Sequence, residues 1–247
     1  MSAIDLRYDS AALSDCGRNR PSNEDAFGRS EESGVYLVCD GMGGAAAGEV
    51  ASSMAAAEVL CLLSRRAESG VAPLEDRIKQ SIRAANEAIY SRSQNDFQLS
   101  GMGTTLVGLV TEGRRVLVFN VGDSRCYRLR KLHLEQISLD HSLVEEQVRM
   151  GRITPAEARI SPMRNIITRA LGTQPTVKPD LFELGTEAGD IFLLCSDGLT
   201  GEIADSLIES MLGADLPLDQ LCASLVNAAN AAGGHDNITC LLVRAGS

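Results

Sequence analysis

The sequence predicts an α+β fold. Three observations lead there. Apolar runs of strand length follow one another between residues 105 and 130. Long segments rich in Ala, Leu and Glu, with apolar residues at helical spacing, follow one another at 46–67 and 73–94. Strands thus group with strands and helices with helices, where a parallel sheet would alternate them.

In chain order the first strand is Val35–Cys39, followed by the two helices just named. Thr105–Thr111 and Arg115–Asn120 are joined by a short turn containing Gly113, which reads as a hairpin. Arg125–Arg130 is a further strand. The stretch 140–165 differs: Ser142 with Glu145 and Thr154 with Glu157 both have capping-box spacing, and Pro155 takes the first helical position, so two short helices are expected there. That segment carries Arg149, Arg152, Arg159 and Arg164 and reads as a surface subdomain. Strands Leu181–Leu184 and Asp190–Cys195, helices near 201–212 and 217–232, and a last strand at Ile238–Arg244 complete the pattern.

Of the 247 residues 44% are hydrophobic but only 4% aromatic, and Trp is absent, so the core must be built from aliphatic side chains. With no repeat, linker or compositional break, one domain spanning 1–247 is expected. The formal charge of −10 argues against nucleic acid and anionic membrane as partners, both of which are bound mainly through Lys and Arg. Seven single cysteines without a C-x-x-C pair argue against a disulfide framework and a thiolate zinc site. The N-terminal MSAIDLRYDS has no basic start and apolar run, and no stretch approaches the roughly 20 apolar residues of a membrane span. A soluble, cytoplasmic monomer is the expectation.

Six acidic residues share one context. Glu24 and Asp25 precede the first strand, Asp40 ends it, Asp123 and Asp197 follow later strands, and Asp236 precedes the last. Three of them touch glycine, in Asp40-Gly41, Gly122-Asp123 and Asp197-Gly198. A single Asp-Gly is a common turn dipeptide. Recurrence behind apolar runs such as VYLVCD and IFLLCSD means more: if those strands are neighbours, their carboxylates converge and repel unless protonated or bridged by metal. A hard cation such as Mg²⁺ or Mn²⁺ wants oxygen ligands of this kind. A neighbouring Gly lets the backbone approach and offer a carbonyl.

In this order, the segments Ser14-Asp15-Cys16-Gly17, Arg20-Pro21-Ser22-Asn23-Glu24-Asp25, Asp40-Gly41-Met42-Gly43-Gly44, Gly103-Thr104-Thr105, Gly122-Asp123-Ser124-Arg125, Asp140-His141-Ser142, Thr168-Arg169-Ala170-Leu171-Gly172, Ser196-Asp197-Gly198-Leu199 and Asp236-Asn237 resemble the type-2C metal-dependent serine/threonine protein phosphatases, the bacterial branch above all. The similarity runs from about residue 10 to 244. It implies a four-layer α-β-β-α sandwich, two antiparallel sheets flanked by helices. It implies two or three divalent cations, Mn²⁺ or Mg²⁺. Asp40 would bridge two of them, with the Gly41 carbonyl on one and Asp197 and Asp236 completing the other. Glu24 and Asp25 would act partly through water, and Asp123 with Asp197 would hold a third. Arg20 would grip the substrate phosphate, a task its forked guanidinium suits. Metal-activated water would then hydrolyse phosphoserine or phosphothreonine in line. The partners implied are phosphoproteins, among them a cognate Ser/Thr kinase and its targets, and 140–165 matches the family's flap beside the active site.

Met42 stands where many eukaryotic relatives carry a histidine proposed as general acid, which leaves His141 and His235 as possible donors. Other phosphatase chemistries fail on inspection. No cysteine has Arg six positions on, as a thiolate phosphatase needs, and no D-x-D occurs. The alternatives that remain are a catalytically weak phosphoprotein-binding relative and one dedicated to a single regulatory partner.

Overall fold

The computed structural model describes residues 6–43, 47–65 and 72–246. Gly44 of the glycine-rich motif, and positions 46, 66 and 67 of the expected first helix, lie outside them. Two antiparallel sheets lie face to face. One has the order β1 (Tyr8–Asp15), β11 (Ile238–Ala245), β10 (Ile191–Cys195), β7 (Arg125–Arg130), β8 (His133–Gln136). The other runs β2 (Asp25–Ser30), β3 (Val35–Met42), β5 (Leu106–Glu112), β6 (Arg115–Val121), β9 (Asp180–Gly185), with the short β4 (Gly103–Thr104) against the end of β3.

Alternation along the central strands explains the layering. In β3, Val35, Leu37 and Cys39 pack with α1 (Ala47–Ser64) and α2 (Leu74–Asn95), while Tyr36 and Val38 point into the space between the sheets. In β10, Ile191, Leu193 and Cys195 pack towards α6 (Asp205–Leu212) and α7 (Leu218–Ala232), while Phe192 and Leu194 meet Tyr36 and Val38 in the middle. Both faces of these strands are therefore buried. That is why they read as continuous apolar runs rather than alternating ones, a pattern more usual in parallel sheets. Three apolar layers between four layers of secondary structure make the expected α-β-β-α sandwich.

Several expectations need correction. β1 and β2 went unread because YDSAALSD and DAFGRS are poor in β-branched and aromatic residues. Val35–Cys39 is thus part of the third strand, and Asp25 opens the second. The helix expected near 201–212 begins only at Asp205, as α6, and a separate short helix, α5 (Asp197–Thr200), precedes it. α1 is 18 residues long with mean hydropathy 1.3, long and apolar enough by composition to cross a membrane, contrary to the reading that no stretch approaches a span. Its buried Ala51, Ala55, Val59 and Leu63 instead pack in the layer beneath β3.

Between residues 140 and 165 lie α3 (Leu143–Arg149) and α4 (Pro155–Ile160). Thr154 and Glu157 form the full reciprocal capping box with Pro155 in the first turn, whereas Ser142 caps α3 only through its own side chain, accepting from Glu145 N–H at 3.3 Å.

Candidate metal centre

The acidic residues meet at one end of the inter-sheet layer. Asp40 follows Tyr36 and Val38 in the inward-facing register of β3, and Asp25 sits directly opposite it across the β2–β3 pair. Like charges so placed destabilise a sheet unless something neutralises them. Asp197, at the start of α5, and Asp236, just before β11, come from the other sheet. Asp40 feels the charges of Asp25, Asp197, Asp123 and Asp236 together. Asp123 is buried; Asp25, Asp40, Asp197 and Asp236 are half-buried, and Asp123 and Asp197 line a cleft.

The backbone beneath is tightly fixed. Asp40 N–H donates to Thr105 Oγ1 at 2.9 Å, the Asp40 carbonyl accepts from Thr105 N–H and Thr104 Oγ1, and Thr105 Oγ1 lies 2.7 Å from Ser124 Oγ. Gly41 N–H donates to the Glu24 carbonyl at 3.1 Å, which also accepts from Ser52 Oγ. A Cβ at Gly41 would strike the carbonyls of Gly48 and Glu24, and one at Gly198 would strike that of Asn237. The glycines beside Asp40 and Asp197 are therefore required by close approach of backbone.

Burial, and then the charges of their neighbours, push Asp25 up to about 7 and Asp123 up to about 8. The same causes push Asp40 well above the usual carboxylate range and raise Asp197, though a hydrogen bond from Asp40 opposes the rise at Asp197. Glu24 is also raised, first by burial, with Arg20 opposing and Asp236 and Glu49 adding to it. Asp25 Oδ2 accepts from Ser196 Oγ at 2.8 Å, while its Oδ1 is buried with no hydrogen-bond partner among the described residues. Crowded carboxyls raised by one another, with an orphaned oxygen among them, are a donor set that fits hard divalent cations. Among the described residues no three Asp, Glu, His or Cys side chains close round one ion by themselves, so ions held here would complete their shells with water and carbonyls.

Arg20 Nη2 donates to Asp236 Oδ2 at 2.7 Å, and the guanidinium is half exposed at the cleft mouth. Sequence reasoning quoted but gave no role to the residue that holds it there. Asn237 Oδ1 accepts from Glu24 N–H, and its Nδ2 donates to the carbonyls of Cys16 and Ser22, pinning the loop that carries Arg20, Glu24 and Asp25. Its place beside Asp236 was the available signal, as was that of Ser196 beside Asp197.

The two histidines differ. Gly122 N–H donates to His141 Nδ1 at 3.0 Å, which leaves the proton on Nε2, 3.2 Å from Asp180 Oδ2. Burial pushes the His141 imidazole below its ordinary value, with the Asp180 hydrogen bond opposing. His141 is thus engaged in fixing the loop before Asp123. His235 is exposed at the rim, with Nδ1 2.8 Å from Glu202 Oε1.

The protein phosphatase 2C family model matches residues 15–243. The chain belongs to the protein phosphatase 2C family. It is 39% identical over 237 residues to the serine/threonine phosphatase stp of Listeria monocytogenes serotype 4b, covering 93% of this chain and 92% of that one. It is 35% identical over 238 residues to protein phosphatase PhpP of Streptococcus pneumoniae serotype 2, covering 94% and 95%. The serine/threonine phosphatase PstP/Ppp of Mycobacterium tuberculosis superposes with a TM-score of 0.90 at 36% identity, over 98% of this chain and 100% of that chain. The catalytic domain of PstP has also been solved with two manganese ions and superposes with a TM-score of 0.88. The expected activity, metal-dependent hydrolysis of phosphoserine and phosphothreonine on proteins, stands, and with it the dependence on Mn²⁺ or Mg²⁺.

Proposed function

We propose that residues 1–247 work as one catalytic domain whose metal set is Glu24, Asp25, Asp40, the Gly41 carbonyl, Asp123, Asp197 and Asp236, with Arg20 as the phosphate clamp. The observation that carries this reading is the meeting of carboxylates from both sheets around Asp40, with burial and mutual repulsion raising them. Cations bound there supply a water of lowered pKa and positive charge against the phosphoryl oxygens. The protein's part is to hold and orient. Asp40 is fixed by Thr104 and Thr105, and Asp25 is oriented by Ser196. Arg20, parked on Asp236, has N–H groups to offer a phosphate at the mouth. Neither histidine is assigned a proton: His141 is occupied by Gly122 and Asp180.

The substrates are phosphoproteins. Phosphoserine and phosphothreonine are made by Ser/Thr kinases, so a cognate kinase and its targets are the proposed partners. All seven cysteines are free thiols, which suits a reducing compartment and supports a cytoplasmic location; a monomer is the state we propose with it. We assign 140–165 the role of a flap affecting substrate choice more than chemistry. Exchanging it for a relative's flap should alter peptide preference and leave metal affinity; the reverse result refutes that role.

The test is phosphate release from a phosphothreonine peptide with Mn²⁺, with Mg²⁺ and with EDTA, for wild type, Asp40→Ala and Asp197→Ala. Metal-dependent release lost in both variants is expected. Activity surviving EDTA and both substitutions overturns the site.

A further inference from the structure

Several arginines are paired with carboxylates of the fold. Arg115 lies among Glu75, Glu112 and Glu183; Arg125 clasps Asp140; Arg128 pairs with Glu135; Arg130 clasps Asp190; Arg169 reaches Asp180. The guanidiniums of Arg149, Arg152, Arg159 and Arg164 form no ion pair or side-chain hydrogen bond among the described residues, though the charge of Arg149 reaches Glu145, and all four are exposed. Residues 149–169 hold five arginines against one acidic residue, Glu157, in a chain of net charge −10. The same segment exposes Met150, Ile160, Met163 and Ile166. Cationic side chains left unpaired in an acidic protein, beside uncovered apolar ones, mark a surface that something else covers.

Its position narrows what that is. A cleft of about 510 Å³ runs from Asp123 and Asp197 to this segment; Arg159 and Arg164 line it, as do Glu145, Glu202 and Asp205. The capping box of Thr154 and Glu157 anchors the helix that presents Arg159. Two of the cleft's acidic groups are held in place: Glu202 holds His235, and Asp205 Oδ1 accepts from the Tyr127 hydroxyl. An anionic group entering the cleft is repelled by these carboxylates and drawn to Arg159 and Arg164.

We propose that Arg159 and Arg164 form a subsite for an acidic residue flanking the phosphorylated one, so that the protein prefers phosphopeptides acidic on one side only. This rests on the catalytic reading above, since the cleft's other end is the site proposed to take the phosphate. A polypeptide crossing the site has one flank towards residues 159–164 and the other away from them, which is why the preference is one-sided.

The test uses the full chain with Mn²⁺ and matched phosphothreonine peptides bearing Glu or Gln at successive positions on either side, with p-nitrophenyl phosphate as a flankless substrate. For wild type at low salt we expect kcat/KM about fivefold higher with Glu on one flank, the scale of two exposed charge contacts, falling towards unity as salt is added. Arg159→Gln with Arg164→Gln should remove the preference and leave p-nitrophenyl phosphate hydrolysis within about twofold. Arg159→Lys with Arg164→Lys should retain most of it. Equal hydrolysis of all peptides by active wild type, or a preference that survives the Gln pair, overturns the subsite and leaves the metal centre standing. Fluorescence anisotropy of the labelled peptides separates the two readings. No hydrolysis of any substrate, with one-sided binding that the Gln pair abolishes, would refute the catalytic reading and uphold the subsite.

Discussion

Two regions bury aspartate in opposite ways. Asp190 is 1% exposed, and Arg130 grips it through Nε and Nη2 at 2.8 and 2.6 Å, with Thr186 Oγ1 and Glu187 N–H completing its shell. Burial alone would raise that carboxyl, but these partners outweigh it and hold it below its ordinary value. Asp40 sits among Asp25, Asp123, Asp197 and Asp236 and is held well above. The first arrangement is complete as folded. The second has donors without charge balance, which protonation or a bound cation must supply.

The sharpest way to break this contrast is to neutralise one carboxylate of each kind. Asp40→Asn should reduce phosphatase activity on the order of 10³-fold or more while raising the Tm of metal-free protein, because repulsion is relieved. Asp190→Asn should leave kcat/KM per folded molecule unchanged but cost about 2–3 kcal/mol in denaturant unfolding, since Arg130 loses its buried charge partner and keeps only Glu187 and the Gly185 carbonyl. Equal effects on activity would erase the distinction.

A second effect is the response to metal. At a hundredfold excess over Kd, Mn²⁺ should stabilise wild type by about 2.7 kcal/mol, a rise of roughly 5–10 °C in Tm. Asp40→Asn should lose most of that rise and Asp190→Asn none of it.

The contrast also has a pH signature. Asp25 at about 7 and Asp123 at about 8 lie above their unfolded value of 3.8, so they favour the folded metal-free chain fully below that value. That contribution disappears as pH rises through 7 and 8. Asp190, held low, behaves oppositely: its contribution is present above 3.8 and is lost as pH falls through its folded value. Thermal scans of metal-free protein should therefore lose Tm between about pH 4 and 8, and the Asp25→Asn, Asp123→Asn double variant should flatten that slope.

The smallest effect expected is at Asn237, which binds no ion in this account. Asn237→Ala should lower kcat/KM about 10- to 100-fold by loosening the Arg20–Asp25 loop and leave part of the Mn²⁺ response intact.

How much of this was legible follows from the range of the interactions. β3, β5, β6, β10 and β11 were readable because strands buried on both faces leave unbroken apolar runs. β1 pairs with one neighbour only, and β2 lies at the edge of its sheet, so neither needs such a run. Asp40, Asp123, Asp197 and Asp236 were legible because each stands beside an apolar strand or a glycine that local sequence displays, whereas Glu24 and Asp25 adjoin the unread β2 and stood out through the family resemblance. The roles of Asn237 and Thr105 were not. They act through hydrogen bonds to residues far away in sequence, Ser22 and Asp40, and no local pattern reports such a pairing. The unpaired state of Arg159 and Arg164 was hidden for the same reason: an arginine's partner is a tertiary fact.

The most direct measurement is calorimetric titration of Mn²⁺ into metal-free wild type and Asp40→Asn protein. Two or three ions bound per chain, with most of that binding lost in Asp40→Asn and kept in Asp190→Asn, is the predicted result. No Mn²⁺ bound by wild type, or undiminished binding by Asp40→Asn, would contradict the claim that these carboxylates are gathered to hold cations.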